Sequence, residues 1–253
     1  MIDVTFDFTT DSPGYWDGFW ERKEGLGSGG SDPDSASLTL QRYHKELWSR
    51  KLPNGEVLEL KEGYGSNYLT WKNFRFGSDA IIVGFRYFKY RYMIEQVMAQ
   101  VGDYKAYYED LIRKSYTMGG MIIFPKHCSS MNQNRGKNYI ISDRWDLTLE
   151  CIRRYYKGED SPLYSTIVAD KEFYDLFVDF KGYVDFFFLQ DCVSDDYSQV
   201  DIWCGDGKMT ESGLPKTLDE YFTFIDKEFE FLSKRNKRIK DYCNQYDKRK
   251  GLL

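Results

Sequence analysis

The stretch from Thr217 to Tyr246 limits the fold of this chain more than any other, because its pattern suits only a long amphipathic helix. Thr217-Leu218-Asp219-Glu220 has the form of a capping box: the Thr hydroxyl serves one free N–H of the first turn and the Glu reaches back to another. Leu218, Phe222, Ile225, Phe229, Leu232, Asn236, Ile239, Cys243 and Tyr246 then recur at alternating steps of four and three. Acidic residues dominate the first half and basic ones the end, which suits the helix dipole. Such a seam either closes the domain's own core or pairs with a second copy. Asn236, its polar position, can fix the register of either arrangement.

A helix over 217–247 needs a partner surface, and the rest of the chain has the length and aromatic content to provide one. With 253 residues, 18% of them aromatic, residues 1–253 are expected to form one domain with a sizeable core. Residues 1–36 read as loop-rich and acidic. Helical spacing predicts helices over 37–50, 85–101, 104–115, 142–156, 170–177 and 183–193. Pro53-Asn54-Gly55 marks a turn. Short strands are expected at 56–60, 68–74, 121–124 and 200–204. The fold class is therefore α+β: a mostly helical single domain with a small sheet and a long C-terminal helix. Gly25 to Gly30 formally satisfies GxGxxG, but neither a strand precedes it nor a helix follows, so it reads as a surface loop.

Five scattered cysteines without a CxxC pair argue against a disulfide framework or a zinc ribbon and for a reducing, cytoplasmic setting. No apolar run approaches the length of a membrane span, and no signal-peptide pattern opens the chain. A formal charge of −5 does not favour wholesale nucleic-acid binding, although an RNA end stays open as a ligand. The charge is segregated: residues 41–157 carry +8 and residues 158–230 carry −13. That pattern fits a local anion-binding face, or two blocks that attract each other within the fold or across a homodimer.

The densest chemistry lies in Arg135–Tyr156, RGKNYIISDRWDLTLECIRRYY. Trp145, Leu149, Ile152 and Tyr156 share one helical face and should be core. Asp143, Asp146, Glu150, Arg153 and Arg154 fall largely on the other. Glu150 and Arg154, four apart in the favourable order, read as a salt bridge. Ser142 or Asp143 is expected to cap the helix. Arg135 and Arg144 stand near its start, where free N–H groups and the dipole favour a phosphate or carboxylate. Arg42 and His44 form a second group that can join them, with His44 as acid or base. The acidic clusters at Asp32, Asp34 and Asp191–Asp201 match no calcium loop. In FRYFKYRY, residues 85–92, cations interleave with rings as in single-strand binders, but winding into a core helix explains the rings as well.

DVTFDF, RYHKELWSRKLPNG, TMGGMIIFP, RG with DRWDLTLECIRRYY, and GYVDFFFLQDCV together resemble an uncharacterised bacterial family known as a domain of unknown function. The resemblance spans nearly the whole chain, and DLTLECIRR is its most specific part. It implies a single domain of about this length, with no assigned activity or cofactor. Where the family pattern often has a His, this chain has Tyr155, and no catalytic residue carries over.

Three functions follow as expectations. The leading one is a binding or regulatory protein for an anionic ligand (a nucleotide, a phosphate ester or an RNA end) held by Arg42, Arg135, Asp143, Arg144, Asp146 and Arg154. The second is a phosphoester-processing enzyme in which Asp143, Asp146 or Glu150 holds a divalent metal and His44 assists. The third is an interaction protein that self-associates through residues 217–246. No cofactor is specified by any of the three.

Overall fold

The computed structural model describes residues 2–20, 32–63, 68–81, 91–127, 130–131, 133–137, 140–205 and 215–250. Among these residues the fold is α+β, with a small antiparallel sheet and one long helix. The helices are α1 (Pro33–Ala36), α2 (Leu38–Trp48), α3 (Arg91–Val101), α4 (Tyr104–Ser115), α5 (Trp145–Lys157), α6 (Tyr164–Ala169), α7 (Lys171–Asp175), α8 (Phe180–Phe186) and α9 (Leu218–Lys250). The strands are β1 (Lys61–Glu62), β2 (Leu69–Trp71), β3 (Phe74–Ala80) and β4 (Met121–Pro125), in the order β1-β2-β3-β4. No helix among the described residues is long and apolar enough to cross a membrane.

Local chemistry accounts for most boundaries. Ser37 caps α2 by accepting from Leu40 N at 3.0 Å, and Leu40, Tyr43, His44, Leu47 and Trp48 then line its buried face. Asp103 caps α4 and Asp179 caps α8 in the same way. Gly158 ends α5 in the left-handed region at φ 69°, where its own N–H and that of Glu159 reach back to the last turn. β4 is buried along its whole length and pairs with β3 from Ala80↔Met121 to Phe76↔Pro125.

The long helix has the predicted place and one of the two predicted caps. Glu220 N donates to Thr217 Oγ1 at 3.2 Å, but the Glu220 carboxylate reaches past Thr217 and accepts from Lys216 N at 2.7 Å. Its buried stripe differs from an apolar heptad. Tyr221, Phe224, Ile225, Glu228, Phe231, Leu232, Arg235 and Ile239 are the buried positions, so two charges lie on the core side. Asn236 is held within the chain: its Oδ1 accepts from Gly119 N at 2.6 Å and its Nδ2 donates to Thr117 Oγ1 at 3.0 Å. A Cβ on Gly119 would sit 2.8 Å from that Asn236 side chain, which explains the glycine where α9 crosses the Met118–Gly120 turn. The seam thus closes the domain's own core as far as Ile239. Beyond it only Cys243, half-buried, and Tyr246, exposed, continue the pattern.

Several expected elements differ. The strand read across 68–74 is a hairpin, turning at Lys72 with φ 50°, and its second arm β3 was not anticipated. The strands expected at 56–60 and 200–204 reduce to single bridges, Lys51↔Val57 and Val193↔Val200, with β1 lying one residue beyond the first. The 183–193 helix begins earlier, because Asp179 caps it, and stops at Phe186; Phe188 then takes φ 56°. α6 was not foreseen. The helix expected from Ser142 begins at Trp145, and its capping position is Arg144, with no side-chain cap. The GLGSGG loop and most of the FRYFKYRY stretch lie outside the described residues.

Candidate functional site

Ser78 and Asp79 are consecutive on β3 and therefore face opposite sides of the sheet. On one side His44 Nδ1 accepts from Trp48 Nε1 at 2.9 Å. An indole only donates, so the imidazole proton is on Nε2 and is given to Ser78 Oγ, 3.0 Å away. The Ser78 hydroxyl passes the chain on to the Asp34 carboxyl. Burial, with Arg235 nearby, holds the His44 pKa down at about 3, so the ring is neutral. Its donor role toward Ser78 is incompatible with acting as that hydroxyl's base. His44 is a link in a buried chain of hydrogen bonds.

On the other side lies Arg135, in the π-type turn Gln133–Lys137. Its Nη2 donates to Ala80 O at 2.6 Å, and its Nε lies 3.8 Å from Asp79 Oδ2 and 3.6 Å from Asp143 Oδ1. Arg135 is 1% exposed and Asp79 is 8% exposed. Burial pushes the Asp79 pKa up to about 6; Arg135 opposes the shift, and Asp143 and Asp32 add to it. Asp34 is raised as well, by burial first and then by Asp32 and Asp79. Among the described residues neither Arg135 Nη1 nor Asp79 Oδ2 nor Asp34 Oδ1 has a hydrogen-bond partner.

Arg144 belongs to a separate buried cluster. Its Nε and Nη2 grip Asp146, the former at 3.0 Å, while Nη1 donates to Cys204 O at 3.1 Å. Asp146, fully buried, also accepts from Trp203 N at 2.8 Å, which draws the 200–204 segment away from strand geometry. Glu228 of α9 lies within the field of this pair, its pKa raised by burial first and then by Asp146.

The predicted residues do not converge on one cleft. Arg135 meets Asp143, and Arg144 meets Asp146, but the two pairs are separate and all four side chains are buried. Glu150 sits farther along α5, gripped by Arg153 (2.7 Å) and Arg154 (2.8 Å), and Arg153 reaches on to Glu159. Arg42 is exposed and packs on the Tyr43 ring. Among the described residues no group of three His, Cys, Asp or Glu side chains is placed to hold a metal ion. Asp143, drawn to Arg135, does not cap α5, and Asp146 lies on the buried side with Trp145, not on the open face expected for it.

Sequence reasoning missed Asp79, because β3 itself was missed. It also missed Glu228 and Arg235, charges at core positions of an otherwise readable helix. The second histidine, His127, pairs with Asp170 at 2.9 Å, a partner that spacing does not reveal. Among the described residues Cys151, Cys192, Cys204 and Cys243 form no disulfide.

A groove of about 770 Å³ runs between the N-terminal segment, the end of α4 and the distal half of α9. Arg113, Lys114, Lys237 and Lys240 line it, with Asp7 as its one carboxylate. Arg113 pairs with Asp7 at 2.9 Å and Lys114 with Asp110. Lys237 and Lys240, exposed and three residues apart on α9, form no ion pair among the described residues.

A family model described as Family of unknown function (DUF6994) matches residues 2–239. The chain belongs to this family. The DUF6994 region holds both buried charge clusters and the groove residues up to Lys237, while Lys240 lies just past it. No curated protein matches the chain. No solved structure matches it either.

The raised carboxyls of Asp34, Asp79 and Glu228 give the fold an unusual pH response. Each binds its proton more tightly folded than unfolded, so each stabilises the native state at low pH and loses that contribution as pH rises through the folded pKa. For Asp79 the loss runs from about pH 4 to about pH 6. His44, its pKa held down by burial, acts in the opposite sense over the same range, so the Asp79 share is read by substitution. Chemical denaturation at pH 5 and at pH 7 is expected to show Asp79→Asn losing about 1 kcal/mol more, relative to wild type, at pH 5 than at pH 7. An Asp79→Asn effect equal at the two pH values would contradict the assignment.

Proposed function

We propose that the protein binds an anionic ligand in the groove between α4 and α9. Lys237 and Lys240 carry the reading: two exposed ammonium groups on one helical face, without an ion pair among the described residues, opposite Arg113 and Lys114 across a groove of ligand size. The groove also offers the hydroxyls of Thr5 and Ser233 and an apolar floor of Val4, Phe229 and Leu232. A nucleotide, a phosphate ester and an RNA end all present the oxyanions this lining suits. The entrance to α5 suits them less, because the guanidinium groups of Arg135 and Arg144 are enclosed and already face carboxylates.

Tripolyphosphate and ADP are the probes of choice, titrated at low and at moderate salt. Binding should weaken as salt rises, and the charge reversals Lys237→Glu and Lys240→Glu together should weaken it by about tenfold or more. Both positions are exposed on a helix surface, so folding should survive. An affinity unchanged by the double reversal would rule out the groove.

A further inference from the structure

Among the described residues Arg50, one residue past the cap of α2, is a cation without an anion. Its guanidinium lies among four aromatic rings, with Cζ 4.3 Å from the Phe188 centroid, 4.5 Å from Phe186, 4.6 Å from Tyr242 and 5.4 Å from Trp48. Its polar partners are the Phe186 carbonyl, which accepts from Nη2, and the Tyr242 hydroxyl, both uncharged. Nε is enclosed and has no partner among the described residues. Burial lowers the Arg50 pKa, and Tyr242 opposes the shift. Rings stabilise such a cation through its faces but do not serve the N–H donors in its plane.

Arg50 lines a groove of about 590 Å³ with Leu52, Pro53, Phe186 and Tyr242 and with the turn at residues 177–179. That is the size of a small-molecule site, and the lining is mainly apolar. Asn54 N donates to Leu176 O at 3.2 Å and ties the turn after Pro53 to the one before α8. Gly182 lets that second turn press on α8, since a Cβ there would sit 2.1 Å from Phe177 O. The walls are therefore set by the backbone.

Charge in the groove is uneven. Both of its carboxylates are engaged: Asp179 accepts from Gly182 N at 2.7 Å as the cap of α8, and Asp185 accepts from Lys181, from Tyr197 OH at 2.7 Å and from Gln190 Nε2 at 3.0 Å. Lys51, exposed, forms no ion pair among the described residues, so it and Arg50 are the cations left over.

Val178 is an independent sign of a missing partner. It holds φ 69°, a left-handed conformation that is costly for a β-branched residue. Phe188 holds φ 56°, but it is 8% exposed and its packing on Arg50 and Tyr242 offsets the strain. Val178 is 64% exposed, so the chain gives its side chain little contact in return. It stands at the groove instead.

We propose that this groove binds a carboxylic acid with an apolar body, the carboxylate in the plane of the Arg50 guanidinium with Lys51 beside it and the body against Pro53, Val178 and Tyr242. The site is separate from the groove between α4 and α9, because Lys240 and Tyr242 stand about 200° apart around the helix. It asks for one negative charge on a hydrocarbon body, where the lysine-lined groove suits phosphate oxyanions.

Ligand-observed NMR titrations at pH 7 with phenylacetate, indole-3-acetate and octanoate test this, the first two offering an aryl body and the last an acyl chain. At least one should bind with a Kd of about 1 mM or tighter. Acetate, which lacks the body, and phenethylamine, which reverses the charge, should bind at least about tenfold more weakly. Lys51→Glu should weaken binding of the acid by about threefold or more. Val178→Asn should weaken it by a similar factor while raising the Tm of the free protein by about 2–4 °C, because asparagine tolerates the left-handed region. Both positions are exposed, so folding should survive. Lys237→Glu with Lys240→Glu should leave this binding unchanged, which separates it from the groove reading. No binding of any of the three acids, equal binding of acetate or phenethylamine, loss of binding in the Lys237 and Lys240 double reversal, or an affinity unchanged in Lys51→Glu or in Val178→Asn would overturn the proposal.

Discussion

Replacing Arg235 with alanine is expected to destabilise the fold by about 3–5 kcal/mol, a drop of roughly 10 °C in Tm for a chain of this size. Arg235 is fully buried on α9, and among the described residues its hydrogen bonds go to backbone carbonyls, not to a carboxylate. Its Nε donates to Phe187 O at 3.0 Å, and its Nη1 donates to Gly119 O at 2.5 Å and Met121 O at 2.9 Å. Burial pulls its pKa down to about 9, because the interior solvates the charge poorly. The side chain therefore contributes through geometry. One planar group satisfies three carbonyls from two segments and packs over Trp48. Removing it also leaves a void the length of its stem. Arg235→Lys should recover little, because a single ammonium cannot reproduce the fork. Equilibrium unfolding in urea measures both variants, and a loss under about 1 kcal/mol for alanine would show that the carbonyls find other donors.

The second large effect is expected at Arg144. Arg144→Ala strands the Asp146 carboxylate at zero exposure, with only the Trp203 N–H at 2.8 Å among the described residues to serve it. Breaking a buried pair from one side typically costs about 3–5 kcal/mol. Asp146→Ala should cost a similar amount from the other side. The double variant should be less destabilised than the two singles summed, since no charge is then left alone. Strict additivity of the two single losses would mean that the pair does not interact in the way its geometry indicates. Glu228 sharpens the comparison, because loss of Arg144 removes the cation that opposes the rise in its pKa.

These two residues also show where sequence reading succeeds and where it stops. α9 was legible because its cap and its apolar period state the same thing twice. Arg235 was not, because an apolar count treats a cation as solvent-facing, and only the positions of Gly119, Met121 and Phe187 in space make it a core residue. Arg144 was singled out for its charge and its place before a helix, but the partner two residues on, Asp146, was assigned to the open face by helical winding alone. The whole first turn of α5 turned out to be enclosed. Glu150 with Arg154 followed from i,i+4 spacing and is present, enlarged by Arg153. Asp79 was lost with β3, whose FRFGSDA contains a Gly, a Ser and an Asp that strand propensity disfavours. The hairpin before it turns at Lys72 without the glycine or asparagine–glycine pair that usually marks such a turn.

The position of Arg235 along the chain has a consequence for how the molecule is made. The carbonyls of Gly119 and Met121 emerge from the ribosome more than a hundred residues before the guanidinium that satisfies them, and that of Phe187 nearly fifty before. Until residue 235 is clear of the exit tunnel, the sheet and the aromatic cluster around Trp48 lack the group that joins them. Synthesis at about 5–20 residues per second leaves that assembly open for several seconds. The nascent protein must therefore carry the carbonyls of Gly119, Met121 and Phe187 without Arg235 until α9 arrives, and a chain stalled before that point would be a natural client for chaperones.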